Sequence, residues 1–116
     1  MRNKYATHVD FTFLTDVLDK KIPSNIDMVL ERKGYFLIGE WKRLNESISQ
    51  GQMILLKALA DISGFTVLIV TGHSDNEQTE VHLIHRLHPS GEMEEWGSSL
   101  DDFKRIVYNW MNFVEE

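Results

Sequence analysis

Two strand-forming runs separated by Lys33-Gly34 constrain the fold of this chain more than any other feature. Residues 26–31 and 35–42 are rich in β-branched, aliphatic and aromatic side chains, and Lys33-Gly34 suits a tight turn between them. Both faces of the two runs are largely apolar, which is typical of central strands covered on each side. A hairpin with Lys33-Gly34 as its loop pairs Arg32 with Tyr35, and this pairing fixes the register of the whole hairpin.

This register places Asp27 opposite Glu40, and alternation along the strand puts Lys42 on the same face as Glu40. Directly opposed side chains have Cβ atoms roughly 5 Å apart, so two carboxylates and an ammonium converge on one patch. Like charges in such positions are unfavourable, and a divalent cation between the carboxylates would remove that cost. The alternative is a strand end that merely exposes solvated acids and a lysine.

The order of these residues resembles the signature of the PD-(D/E)xK nucleases, in which an acidic residue precedes an E-x-K triplet on the next strand. Here the acid is Asp27 and the triplet is Glu40-Trp41-Lys42, and Ile26 stands where the family usually has proline. The continuation is similar to the stand-alone VRR-NUC branch, whose members carry a serine, a glutamine three residues later, a helix, a glycine and a buried strand. The corresponding residues, within a resemblance that covers about 10–72, are Ser49, Gln52, Leu55, Leu59, Gly64 and 65–70.

The resemblance implies a Mg²⁺- or Mn²⁺-dependent DNA endonuclease. By the resemblance, Asp27, Glu40 and the backbone carbonyl of Trp41 bind the metal, while Lys42 assists the nucleophile. Gln52 would support the site near a phosphate or a metal-bound water, with Gln50 as its substitute if the register differs. A polar first-turn residue facing solvent is the alternative interpretation of this glutamine.

Further residues would complete such a site. Related nucleases often carry an acid on the helix before the core hairpin, so we expect either Asp16 or Asp19 to join the metal ligands. A solvated helix face is the alternative for both acids. Basic residues near the hairpin would contact DNA, with Arg32, Lys33 and Arg43 as the candidates. By resemblance, the substrate would be branched or junction DNA, the protein a homodimer, and its location the cytosol of a phage-infected or bacterial cell.

The pattern along the chain predicts an α/β protein of one restriction-endonuclease-like domain over residues 1–116, with a mixed central β-sheet flanked by helices. Its α-β-β-α-β core covers about 10–72, and a C-terminal β-hairpin and helix cover about 79–115. Asp10 and Pro23 would delimit the first helix and Gly64 would be the C′ residue of the second. The expected elements are helices over 11–21, 50–63 and 100–114, a buried parallel strand over 65–70, a polar loop over 72–79, and strands over 80–87 and 92–96.

Alternation in the strand over 80–87 places Val81, Leu83, His85 and Leu87 on one face. The spacing of the histidines favours ordinary surface residues over a zinc site, because no pair lies at a suitable spacing and the chain has no cysteine. Only His73 is expected near the active face. The C-terminal aromatic residues favour a core cluster first and a dimer contact second, and they are Trp96, Tyr108, Trp110 and Phe113.

Composition sets limits on this interpretation. The formal net charge of −6 is unusual for a nucleic-acid-binding protein. It keeps open a non-catalytic interaction protein, even a DNA mimic that retains the fold, and a nuclease subunit that needs a DNA-binding partner. The absence of cysteine fits a cytosolic protein, and we expect neither a membrane span nor a secretory signal.

Overall fold

The computed structural model describes residues 11–19, 24–75 and 78–116. Five strands form one mixed sheet in the order β1-β2-β3-β4-β5, in which β2 and β3 are parallel and the other neighbours are antiparallel. The expectation of an α/β domain with a mixed sheet is thereby confirmed. In chain order the elements are a 3-10 helix (Phe11–Asp16), β1 (Met28–Arg32), β2 (Tyr35–Lys42), α1 (Gln50–Ala60), β3 (Phe65–Ser74), β4 (Thr79–Leu87), β5 (Met93–Gly97) and α2 (Leu100–Glu115).

The first hairpin has the predicted register, with Arg32 opposite Tyr35. Lys33 and Gly34 both have positive φ, 53° and 83°, as a two-residue type I′ turn requires. The expectation of two central strands is right for β2 only. Because β1 pairs with β2 alone among the described strands, it is an edge strand, and its second residue, Val29, is 51% exposed.

Helix α1 carries the chain from β2 to its parallel neighbour β3. Ser49 caps its N-terminus, and Asp61 is the C-cap, so the helix is three residues shorter than predicted. Gly64 is therefore not its C′ residue. Gly64 has φ 87° and lies in the turn before β3, where its carbonyl accepts a hydrogen bond from the N–H of Phe36.

The sheet is covered by one helix on each face. Leu56 of α1 packs on one face, and the buried side of α2 packs on the other. The α1 face contributes Ile38, Val67, Ile69 and Leu87 to the core, whereas the α2 face contributes Leu37, Leu68, Val70, Val81 and Ile84 with Ile106, Trp110 and Val114.

A bulge in β4 corrects the predicted alternation. Thr71 pairs with Leu83, but the next residue, Gly72, pairs with Val81, so β4 holds one extra residue at His82. An extra residue moves the following side chains to the opposite face. Val81 is consequently buried against α2, and its predicted position beside His85 and Leu87 was wrong. Strand β3 also extends through Ser74, which shortens the loop expected over 72–79.

The first helix is shorter and tighter than predicted. A 3-10 helix ends at Asp16, and Asp19 has φ 55°. Phe13 is 65% and Val17 is 78% exposed. The α-helix expected over 11–21 was therefore wrong in type and length, because a short helix is marginal without an apolar face packed on the core. The predicted boundary residues Asp10 and Pro23 lie outside the described residues.

Helix α2 begins where predicted, with the Ser99 hydroxyl accepting a hydrogen bond from the N–H of Asp102. Trp110 is buried in the core as expected, but Tyr108 and Phe113 are 66% and 61% exposed. Within the described parts of the chain, no helix has the length and apolarity that crossing a membrane requires.

Candidate metal-dependent active site

A cleft of about 720 Å³ opens between the end of β2, the segment before β1 and the N-terminus of α1. It brings together five residues that the sequence predicted for the site, and these are Asp27, Glu40, Trp41, Lys42 and Gln52. The complete lining is Ser24, Asn25, Asp27, Glu40, Trp41, Lys42, Glu46, Ser49, Gly51 and Gln52.

Asp27 stands one residue before the paired part of β1, whose last pair is Met28 with Gly39. Its Oδ2 accepts a hydrogen bond of 2.8 Å from the backbone N–H of Trp41. The carboxylate is thus fixed beside the backbone of the E-x-K triplet. The predicted approach of Asp27 to Glu40 is present, although Asp27 lies just outside the strand ladder.

Glu40 is the one charged or polar side chain among the buried residues of the described chain, with 2% exposure. Its Oε2 accepts a hydrogen bond from Gln52 Nε2, whereas its Oε1 is buried without a hydrogen-bond partner. Burial, followed by the effect of the neighbouring Asp27 carboxyl, raises the pKa of Glu40 to about 7, against the opposing effect of Lys42. Lys42 therefore offsets only part of the effect of burial on this carboxyl group.

Gln52 links the two charged side chains at the C-terminal end of β2. Its amide nitrogen donates to Glu40, and its Oε1 accepts a hydrogen bond of 2.7 Å from Lys42 Nζ. Lys42 Nζ also lies 4.0 Å from Glu40 Oε2, and the lysine side chain is only 12% exposed. The glutamine thus holds an acid and a base in fixed positions on one face of β2.

The N-terminus of α1 positions this glutamine. The Ser49 hydroxyl accepts a hydrogen bond from the backbone N–H of Gln52, and Ser49 has the extended backbone typical of an N-cap. Gln50, the substitute considered in the sequence, is exposed and does not line the cleft. The serine and glutamine spacing therefore serves both as a helix cap and as a support for the site.

Glu46 lines the cleft but was not singled out in the sequence. A turn at Asn45, with φ 70°, directs the chain back, and Glu46 Oε1 accepts a hydrogen bond from the N–H of Arg43. Glu46 contributes to the raised pKa of Glu40. The signal available in the sequence was an acid placed between the E-x-K triplet and the following helix cap.

Other predicted site residues lie elsewhere. Asp16 and Asp19 are exposed and do not line the cleft, and no three acids or histidines of the described residues form a group that could hold a metal. Arg32 and Lys33 lie at the turn of the hairpin, where both contact Glu115. Arg43 directly follows Lys42 and is exposed. The roles assigned to these residues stay predictions.

The donor set fits a hard divalent cation. Asp27 and Glu40 supply carboxylate oxygens, and the unpartnered Oε1 of Glu40 is the kind of buried acceptor that a cation would satisfy. Mg²⁺ is commonly bound by one or two carboxylates and keeps several waters, so two carboxylates are sufficient. The Trp41 carbonyl as a third ligand stays a prediction.

The histidines are arranged differently from expectation. His73 is exposed and contacts Asp75 at 3.3 Å. His85, not His73, lies in register with the site, because Glu40 pairs with Ile69 and Ile69 pairs with His85 across the sheet. Sequence spacing alone could not find this relation, since it depends on the strand order.

Comparison of the chain with models of known protein families, with curated proteins and with solved structures gives no match. The functional assignment therefore depends on the geometry of the cleft and on the residue pattern of the sequence.

Proposed function

We propose that this protein is a restriction-endonuclease-like enzyme that hydrolyses phosphodiester bonds of DNA with Mg²⁺ or Mn²⁺. One observation carries the proposal. Glu40 is buried with an unpartnered oxygen, and it shares a cleft with Asp27, Lys42 and Gln52. Burying an acid in that setting costs folding free energy. A divalent cation bound to the carboxylate would offset this cost.

Each residue has a role in the proposed reaction. Asp27 and Glu40 would hold the cation, which supplies charge neutralisation at the phosphate and a more acidic bound water. Lys42 Nζ, held by Gln52, would orient the water or stabilise charge that develops on the phosphate in the transition state. Gln52 would keep Lys42 and Glu40 at a constant separation. The exposed mouth of the cleft, between Ser24 and the N-terminus of α1, would admit the DNA backbone.

The charge of the cleft supports cation binding before DNA binding. Asp27, Glu40 and Glu46 face a single lysine there, so a phosphate would meet net negative charge in the metal-free protein. A divalent cation reverses this, because it is often the largest local charge in such a site. We therefore expect DNA binding at the cleft to require metal.

Cleavage assays test the proposal directly. Labelled supercoiled, linear, single-stranded, flap and four-way-junction DNAs are incubated with Mg²⁺, Mn²⁺ or EDTA. We expect metal-dependent cleavage that is lost in Glu40→Gln and in Lys42→Met but retained in Glu92→Gln, an exposed acid outside the cleft. Cleavage by Glu40→Gln at the wild-type rate would overturn the proposal.

The net charge of −6 supports a second candidate, a non-catalytic protein that binds a DNA-binding partner through its acidic surface. Binding of branched DNA in Ca²⁺ separates the two. Metal-dependent binding to DNA supports the nuclease, whereas no binding at low salt together with no cleavage supports the interaction protein.

A further inference from the structure

A second groove continues from the cleft along the same face of the sheet. Its volume is about 360 Å³, and Lys42 and Glu46 line both cavities. The groove extends over Ile69 towards His85. Ligand sites for small organic groups commonly have volumes of this order, so the groove is large enough for a part of the substrate.

The position of the groove follows from the strand register. Glu40, Ile69 and His85 form one row across β2, β3 and β4. Neighbouring strands lie about 4.8 Å apart, so His85 stands roughly 10 Å from Glu40. The groove therefore begins beside the proposed metal site and ends at His85. A nucleobase attached next to a phosphate at the metal site could reach that end.

The lining has the chemistry of a nucleobase site. Ile69 is buried and apolar, and Met53 of α1 and Met93 of β5 add flexible apolar side chains to the lining. The hydroxyl of Thr71 can hydrogen bond to the edge of a base. The imidazole of His85 can hydrogen bond to that edge or stack on the face of the base.

Charge decides which part of a nucleotide enters. Glu46 and Lys42 line both cavities, so their charges do not favour either cavity for a phosphate. The proposed cation does, because Asp27 and Glu40, which would hold it, line the cleft and not the groove. The anionic phosphate therefore belongs in the cleft beside the cation, and the neutral base in the groove.

We propose that this groove binds one unpaired nucleobase of the DNA, next to the phosphate that is cleaved. The proposal rests on the proposed nuclease function and specifies its substrate. A base in an intact duplex is stacked and paired and must be extruded at a cost of a few kcal/mol, a cost that is smallest where the base is already unpaired. The groove thus selects single-stranded positions, such as those at flaps and junctions.

Abasic substitution tests the groove. The cleaved bond of a flap or single-stranded substrate is first mapped with wild-type protein, and each adjacent nucleotide is then replaced by a tetrahydrofuran abasic analogue. We expect one position where loss of the base lowers kcat/KM by roughly 5- to 150-fold, as expected for one stacked base. Uniform cleavage of all these substrates would overturn the groove proposal while leaving the nuclease function intact.

His85→Ala should lower kcat/KM on the intact substrate but add less than about twofold on the abasic one, because both changes remove the same interaction. His82→Ala is the matched control, since His82 lies on the same strand outside the groove. Equal losses on both substrates would show that His85 acts only on the fold and would overturn the proposal.

A binding measurement does not depend on cleavage. 2-Aminopurine is placed at the sensitive position, or at each unpaired position in turn, and fluorescence is recorded in Ca²⁺. We expect brightening when the base leaves its stack for the groove with wild-type protein and none with His85→Ala. DNA binding without any such change overturns the groove, whereas loss of metal-dependent cleavage in every substrate overturns the nuclease itself.

Discussion

At the scale of single residues, Glu40 combines burial with a negative charge that burial opposes. Its pKa is raised to about 7 in the folded protein, against about 4.3 for an unperturbed glutamate. The folded state therefore holds more protons than the unfolded state between these two pH values. Folding free energy is consequently lost as pH rises through this window and stays reduced above it.

Glu40→Gln should remove this pH dependence. The glutamine keeps an oxygen to accept from Gln52 but carries no charge, so we expect the metal-free variant to be more stable than wild type at pH 8. The gain would be at most about 4 kcal/mol, since each pKa unit corresponds to about 1.4 kcal/mol. Denaturant unfolding in EDTA at pH 5 and pH 8 measures it, and the difference should be smaller at pH 5.

Bound metal should make wild type more stable than Glu40→Gln, the reverse of the order expected without metal. Mg²⁺ or Mn²⁺ that binds only the folded protein raises its unfolding temperature, and we expect this rise in wild type but not in Glu40→Gln. Glu92→Gln is the control for loss of an exposed acid. An equal rise in all three proteins would place the metal elsewhere.

Gln52→Ala should lower activity without unfolding the protein. Its side chain joins Lys42 to Glu40, and residues that support a metal site in this way typically contribute 10- to 100-fold in affinity or activity, so we expect a loss of roughly that size. Gln50→Ala is the matched control, because Gln50 is an exposed glutamine in the same helical turn. An equal loss in both variants would assign the effect to α1 and not to the bridge.

At the scale of elements, two helices with the same type of cap allow a paired comparison. Ser49→Ala should cost about 1 kcal/mol of stability and should also lower cleavage, because Ser49 bonds to the backbone N–H of Gln52. Ser99→Ala should cost a similar amount through α2 but leave cleavage unchanged, since Ser99 does not line the cleft. Unfolding and cleavage measured on both variants decide whether the α1 cap acts on the site.

Structural features formed by residues that are close in sequence could be predicted from local sequence patterns. The turn at Lys33-Gly34 sets the register of β1 and β2, and this brings Asp27 to Glu40 and Trp41. Ser49 and Ser99 mark the starts of both α-helices through side-chain to backbone bonds. These features depend on residues a few positions apart, so the sequence predicts them.

Features that depend on distant packing were not predictable. The bulge at His82 moves Val81 to the other face, and an alternating sequence carries no sign of it. The groove at His85 requires knowledge that β4 lies beside β3 and β3 beside β2. Glu46 reaches the cleft because the chain turns at Asn45, which has a left-handed backbone. Many different sequences adopt such a turn, so the sequence did not predict the position of Glu46.

At the scale of the whole molecule, basic residues are separated along the hairpin. Arg32 and Lys33 lie at the turn, where Arg32 bonds to Glu115 and lowers the pKa of that carboxyl. The turn is five residues of β2 from Glu40, which corresponds to roughly 17 Å. Arg43 stands at the other end of β2, beside the cleft.

This separation predicts unequal contributions to DNA binding. Each basic side chain that contacts a phosphate releases about one counterion, and so it contributes about one to the slope of log K against log salt. The contribution of a single arginine should be measurable in a protein of net charge −6. Arg43→Ala should therefore reduce the slope of log K against log salt by about 1 and weaken binding to all sequences alike. Arg32→Ala should leave the slope unchanged, since Glu115 already holds that guanidinium away from the cleft.

Fluorescence anisotropy of labelled flap DNA in Ca²⁺, recorded over a series of salt concentrations, measures both slopes. A reduced slope in Arg32→Ala would mean that DNA also follows the hairpin to its turn and displaces Glu115. Double substitution of Arg32 and Glu115 by alanine then distinguishes a direct phosphate contact from a change in the acidic end of α2. If only Arg43→Ala changes the slope, the DNA backbone approaches at the cleft end of β2, where Glu40 and Lys42 lie.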